Sequence, residues 1–227
     1  MEPGRGFWES LTSYERRALW SLGHGKKYSP GATLCVEGDP ATHIFIVLSG
    51  WVKILSASVS GHETVLALRG DGDIVGETAG ETAGYRNATM QAADKVDVLL
   101  VGYDRFSSFL DTHPGASRAY RQTIARRWVA ADAMLRRRTV TTGAQRLAEL
   151  LLDLAAWHGS PVGAAIEVAL PLSQEELASL AGTSRATVAR ALRNWRGRGF
   201  LTTGPRRITV IDVPGLRKAA SPPRVSD

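Results

Sequence analysis

Residues 173–199 read "SQEELASLAGTSRATVARALRNWRGRG", and the character of the whole C-terminal part turns on this stretch. Ser173 opens it as a helix cap, and Glu176, three residues on, completes a capping box. Leu177, Leu180 and Ala181 share one face of the helix that follows. Gly182 supplies a turn, and Thr183 or Ser184 caps a second helix on which Val188, Leu192 and Trp195 recur at helical spacing. The next segment, "FLTTGPRRITVI" (200–211), reads as a two-stranded hairpin with its turn at Gly204-Pro205. Helix, glycine turn, helix and basic hairpin form the pattern of a winged helix-turn-helix, in which the first turn of the second helix points at base edges in the major groove. The predicted DNA-facing set is therefore Thr183, Ser184, Arg185, Ala186, Thr187 and Arg190. Arg193, Arg206 and Arg207 fall where phosphates would run. The plainer alternative is a helical hairpin with a solvated arginine face.

Charge divides along the chain in the same sense. Residues 1–115 hold 10 Lys and Arg against 14 Asp and Glu, residues 116–138 hold 7 against 1, and residues 173–218 hold 9 against 3. An acidic front joined to a basic back fits a polyanionic partner for the back, although charge alone also fits a solvated face.

Upstream of 115 the periodicity is short. After a helical opening in "FWESLTSYERRALWSLG", segments such as "HIFIVLSGWVKILSAS", "ETVLALRG" and "KVDVLLVGY" are separated by turn signals at Ser29-Pro30-Gly31, Gly38-Asp39-Pro40, Gly61 and Gly70-Asp71-Gly72. Such spacing predicts a compact antiparallel barrel or jelly roll. From Pro114 the period becomes helical, and Ile124, Trp128, Ala131 and Leu135 step by 4, 3 and 4 as a two-heptad seam among arginines. A second helix follows in "GAQRLAELLLDLAAWHG", and "GSPVGA" interrupts it.

Within the roll, "GDIVGETAGETAGYRNA" (72–88) contains the tetrapeptide GETA twice before an arginine. Taken with the winged helix, this stretch makes the chain resemble the CRP/FNR superfamily of bacterial transcription regulators from about Phe7 to Val213. The resemblance rests on "GDIVGE" followed at the family's interval by "RNA", on the long helix after the roll, and on the stretch 173–201. It selects the first copy: Gly76-Glu77 lies nine residues before Arg86, whereas Glu81 lies only five before it, which leaves 78–84 as a short helical turn.

The resemblance implies an α+β protein with an N-terminal antiparallel β jelly roll as effector domain (1–115), a long dimerisation helix (116–138) and a C-terminal winged helix-turn-helix (139–217). The remaining residues, 218–227, are expected to form a disordered tail. Gly76, Glu77, Arg86, Asn87 and Ala88 are the implied effector contacts. A glutamate can accept from a ribose hydroxyl, an arginine fork matches a cyclic phosphate, and backbone N–H groups add anion affinity. The alternative is that Glu77 and Arg86 pair with each other in an empty roll.

Cyclic AMP or another cyclic nucleotide is the implied ligand, with double-stranded palindromic DNA, a second copy of the chain and RNA polymerase as partners. Asn87 stands where cyclic-AMP responders carry a small hydroxyl residue, and Ala131 and Asp132 stand where they place a Thr-Ser pair on the adenine. A different nucleotide, or a member of the family that binds DNA without one, stays open.

Other classes fare worse. One cysteine, Cys35, cannot build a disulfide framework or an iron-sulfur site and reads as a small hydrophobe. A metal-dependent enzyme on such a roll needs clustered ligands, yet His24, His43, His62, His113 and His158 are dispersed. His62-Glu63 reads as a hairpin tip. No enzyme, no metal and no membrane partner are expected, and the absence of a signal segment or a long apolar run points to the cytoplasm.

Overall fold

The computed structural model describes residues 6–57, 63–81 and 84–221. The chain divides into two compact units, and the division falls between Val129 and Ala130, inside a single long helix.

The first unit holds two four-stranded antiparallel sheets. One has the order β1 (His24–Tyr28), β8 (Val96–Gly102), β3 (His43–Ser49), β6 (Ile74–Val75). The other has the order β2 (Thr33–Cys35), β7 (Thr89–Ala92), β4 (Val52–Ala57), β5 (Glu63–Arg69). This is the jelly roll expected. Its central strands read as continuous apolar runs because both of their faces are covered. Along β3, Phe45 and Val47 join Val52, Val75, Met90 and Val98 in one buried cluster. Ile44 and Ile46 join Leu19, Leu99, Phe106 and Phe109 in the other, beneath α1 (Ser13–Leu22) and α3 (Tyr103–Thr112).

Short helix α2 spans Glu77–Glu81. Gly61, His62 and residues 82–83 of the expected turn lie outside the described residues, as does the side chain of Glu81. Glu15 is buried and closes a capping box with Thr12 at the start of α1. Burial works to raise its pKa, but hydrogen bonds from Thr12 and from the Ala116 N–H outweigh this and hold it below the usual carboxylate value. The same carboxylate thereby caps the start of α4 (Pro114–Val140), whose span brackets the 116–138 read from the sequence.

The second unit contains α5 (Gly143–His158), α6 (Gln174–Leu180), α7 (Arg185–Gly197), α8 (Val213–Ala220) and a sheet ordered β11 (Leu201–Gly204), β12 (Arg207–Val210), β10 (Ala165–Ala169), β9 (Ser160–Val162). The segment "GSPVGA" does more than break a helix: it forms most of the β9–β10 hairpin, with Ala165 opposite Val162, and β10 adds a strand to the wing by pairing with β12.

The wing turn is Pro205-Arg206 rather than Gly204-Pro205, and Arg206 adopts φ 54°. The expected tail needs correction at its start. Residues 218–220 finish α8, which Asp212 caps through the Gly215 N–H at 2.9 Å and which buries Leu216 and Ala220. Residues 222–227 lie outside the described set. Among the described residues, no helix is long and apolar enough to cross a membrane.

Candidate functional site

The roll's candidate site is built where β6 runs into α2. Gly76 turns there with φ 81°, and a Cβ on it would stand 2.3 Å from Nη1 of Arg86, so both the conformation and the close approach exclude a side chain. Arg86 is 3% exposed. Its Nη2 donates to the His43 carbonyl at 2.8 Å and its Nη1 to the Gly76 carbonyl at 3.3 Å, with the guanidinium 5.3 Å from the Phe45 ring centre. The Tyr103 hydroxyl donates to the same Gly76 carbonyl. Ala88 is buried beside Arg86 in sequence, and Asn87 is exposed.

Glu77 is buried, yet it does not pair with Arg86. Its Oε1 accepts from Nη1 of Arg127 at 2.7 Å, and Nη2 of Arg127 reaches Oδ1 of Asp73 at 3.1 Å. Gly76, Glu77 and Arg86 thus lie together as the spacing requires, while the direct Glu77–Arg86 pair weighed from the sequence is replaced by a bridge from α4. Beside that bridge lies Arg69, the last residue of β5. Part of the residue reaches solvent but its charged head lies deep, and burial, then the charge of Arg127, push its pKa down to about 10. Arg127, Asp73 and Arg69 were not identified from the sequence. Arg127 sits fifty residues from Glu77 and fifty-four from Asp73, so no local pattern marks the bridge.

On α4 the seam residues Trp128 and Leu135 are 77% and 64% exposed, and Ala131 and Asp132 are also exposed. Asp132 is paired with Arg136 one turn on, at 2.5 Å. The side chains of Arg137 and Arg138 lie outside the described residues. Cys35 is half-buried, and burial pushes its thiol pKa up, as for a small apolar side chain.

In the second unit, Ser173 accepts from the Glu176 N–H at 3.1 Å and Glu176 reaches back to the Ser173 N–H at 2.7 Å, completing the capping box. Gly182 turns with φ 59°, and Ser184 rather than Thr183 caps α7, accepting from the Thr187 N–H at 3.2 Å. Val188, Ala191, Leu192 and Trp195 are buried, which turns Arg185, Ala186, Arg190 and Arg193 to the surface. The hydroxyls of Ser184 and Thr187 hydrogen-bond each other at 3.0 Å. Thr183 faces α5: a Cβ on Gly143 would lie 1.9 Å from its hydroxyl oxygen.

Arg206 and Arg207 are exposed at the wing, where Arg207 lies 3.8 Å from Glu167. A residue the sequence did not single out, Arg146, fastens the turn. Its Nε donates to the Ala181 carbonyl at 2.9 Å and its Nη2 to the Gly182 carbonyl at 2.7 Å.

Comparison with known proteins finds matches in both units. Residues 25–113 match the cyclic nucleotide-binding domain family, and residues 145–219 match the Crp-like helix-turn-helix domain family. The chain is 30% identical over 190 residues to the CRP-like cAMP-activated global transcriptional regulator of Mycobacterium tuberculosis, covering 84% of this chain and 85% of that one. It is 28% identical over 193 residues to the cyclic AMP receptor protein of Thermus thermophilus, covering 85% and 86%. The structure of FixK2 from Bradyrhizobium japonicum superposes with a TM-score of 0.77 at 21% identity, over 88% of this chain and 98% of that one.

Proposed function

The chain belongs to the CRP/FNR superfamily of transcription regulators, and on that basis we propose that it acts as a cytoplasmic homodimer that binds a two-fold symmetric DNA operator under control of a cyclic nucleotide in the roll. The observation that carries this reading is α7. A capped helix buries Val188, Leu192 and Trp195 and turns Arg185, Ala186 and Arg190 outward from its first two turns, with the arginines of the wing nearby in the same unit. Arginine forks suit guanine O6 and N7 and phosphate oxygens alike.

Dimerisation is supported by Trp128 and Leu135, large apolar side chains left exposed seven residues apart on α4. A nucleotide is supported by Glu77 and Arg86, a buried acid and a buried base on either side of Gly76 in the contact network. RNA polymerase is the further partner that a regulator of this class addresses.

One observation favours a second reading, in which DNA is bound without a nucleotide: Arg86 and Glu77 are already satisfied, by carbonyls and by Arg127. Calorimetry of the intact protein with cyclic AMP, cyclic GMP and a cyclic dinucleotide, run beside fluorescence anisotropy on a palindromic duplex, separates the two. Nucleotide binding that tightens DNA binding supports the first reading. DNA binding with no heat from any nucleotide establishes the second.

A further inference from the structure

The wing carries a residue in a backbone conformation that its side chain does not suit. Arg206 has φ 54°, and among the described residues no other non-glycine residue has a positive φ. Left-handed backbone is ordinary for glycine and tolerated by asparagine, whereas a long side chain there is strained. Such strain persists only where the surrounding structure imposes it, and it clusters at functional positions.

Two contacts impose it here. Gly204 pairs with Arg207 across the hairpin, so Pro205 and Arg206 alone make the turn. A proline, whose φ is fixed negative, followed by a positive φ is the turn that normally takes glycine in its second place. The Arg206 carbonyl also accepts from the N–H of Leu170 at 2.8 Å. Leu170 is buried and directly follows β10, which pairs with β12 through Ala169 and Arg207. The strand added beside the wing thus braces its tip.

The neighbouring arginines are turned elsewhere. Arg207 lies 3.8 Å from Glu167, and its Nε is 2.7 Å from where a Cβ on Gly204 would stand, so the side chain folds back over the hairpin. Arg196 of α7 donates to the Thr203 hydroxyl at 3.0 Å. A phosphate needs only a cation nearby, and Arg193, Arg196 and Arg207 offer one without a left-handed backbone. Arg206 stands exposed at the end of the braced tip.

The hairpin starts where α7 ends, with the Phe200 N–H donating to the Trp195 carbonyl at 2.9 Å and Leu201 opening β11. With α7 in a major groove, a wing beside it meets the minor groove that borders it. A narrow, A·T-rich minor groove has an enhanced negative potential that draws in an arginine, and this reads groove shape with no base-specific bond. A guanidinium also gives up its water more readily than an ammonium.

We propose that Arg206 is a specificity-determining residue that enters the minor groove outside each half-site and selects A·T-rich flanks. The inference rests on the operator-binding reading above.

The test uses the intact protein and duplexes that carry the half-sites returned by selection from a random library, flanked by A·T, I·C or G·C pairs. Inosine lacks the guanine N2 amino group, so an I·C flank keeps the major-groove pattern of G·C while presenting a minor groove like that of A·T. Anisotropy competition is expected to show A·T and I·C flanks bound about tenfold more tightly than G·C flanks. In Arg206→Gly, which suits the backbone, that preference should fall toward one while the urea midpoint does not drop. Arg206→Lys should keep only part of the preference, and Arg207→Ala should weaken all three duplexes alike.

A preference that survives in Arg206→Gly belongs to the bending of the DNA and overturns the role of Arg206. Equal binding of the three duplexes by the unmutated protein, or an I·C flank bound as weakly as G·C, overturns it too. All three results leave the operator reading intact. Protein that binds no duplex overturns the operator reading and this inference with it.

Discussion

In the roll, Arg86 is 3% exposed and bonded to carbonyls, and Arg127 is clasped between two carboxylates; in the winged helix, Arg185, Arg190, Arg193, Arg206 and Arg207 all stand on the surface. The same side chain therefore does two kinds of work. An enclosed guanidinium is held by fixed neighbours and responds to what replaces them. An exposed one is held by water and mobile ions and responds to any polyanion that displaces those ions. The first arrangement suits recognition of a small molecule, and the second suits affinity for a duplex.

Salt should separate the two regions most strongly. With several surface arginines per subunit on phosphates, affinity for duplex DNA is expected to fall roughly a thousandfold between about 50 and about 200 mM salt, with a log-log slope of about −0.9 per neutralised phosphate. The urea midpoint of the roll should hardly move over the same range, because enclosed pairs are screened far less. Anisotropy titrations and unfolding curves in matched buffers check this, and a flat DNA slope would erase the contrast.

Removing a clasped arginine comes next in size. Arg127→Ala leaves Glu77 and Asp73 enclosed without their partner and should destabilise the roll by about 3 kcal/mol in urea unfolding. Arg190→Ala, by comparison, should stay within about 0.5 kcal/mol while weakening DNA binding. Equal losses of stability from the two would mean that Arg127 is no more embedded than Arg190.

Base reading should show a smaller step. Ala186 offers a methyl group, which can rest on a thymine methyl but cannot accept from cytosine N4, whereas Ala186→Glu can. Selection from a random duplex library should return cytosine at the facing pair only for the glutamate variant, a difference of roughly 1–3 kcal/mol. Identical preferences would show that α7 lies in another register.

The smallest effect belongs to pH. Burial, then the charges of Arg86, Lys26 and His24, push the pKa of His43 down to about 4 from an ordinary 6.5. Between those values the unfolded chain binds a proton that the folded chain refuses. Stability should therefore be complete above about pH 6.5 and decline as pH falls toward 4. His43→Gln should flatten that decline in urea unfolding followed at several pH values.

What the sequence revealed was local. The capping box at Ser173 and Glu176, the glycine turn at 182, the helical period that sets in at Pro114 and the nine-residue step from Glu77 to Arg86 each lie within a few turns of chain, where periodicity and turn chemistry act. What it concealed was set by distant partners. Arg127 meets Glu77 fifty residues away, and Arg146 meets the Gly182 carbonyl thirty-six residues away. Strand β10 was missed because "AIEVA" is short and follows two glycine-containing turns, and its pairing with Ser160–Val162 on one side and Arg207–Val210 on the other makes it a strand. Helix α8 did carry a signal, an aspartate cap ahead of a proline in the first turn, but its buried face is only Leu216 and Ala220.

Gly143 has a consequence for anyone who would move the reading head to another scaffold. With no space for a methyl group against Thr183, and with Arg146 tied to the carbonyls at 181 and 182, the first turn of α5 is a fitted seat for the turn between α6 and α7. A graft cut at Ser173 would leave that seat behind and deliver α7 at an undefined tilt. The smallest portable cartridge begins before Thr142, and any host must accept a bare glycine where its own helix starts.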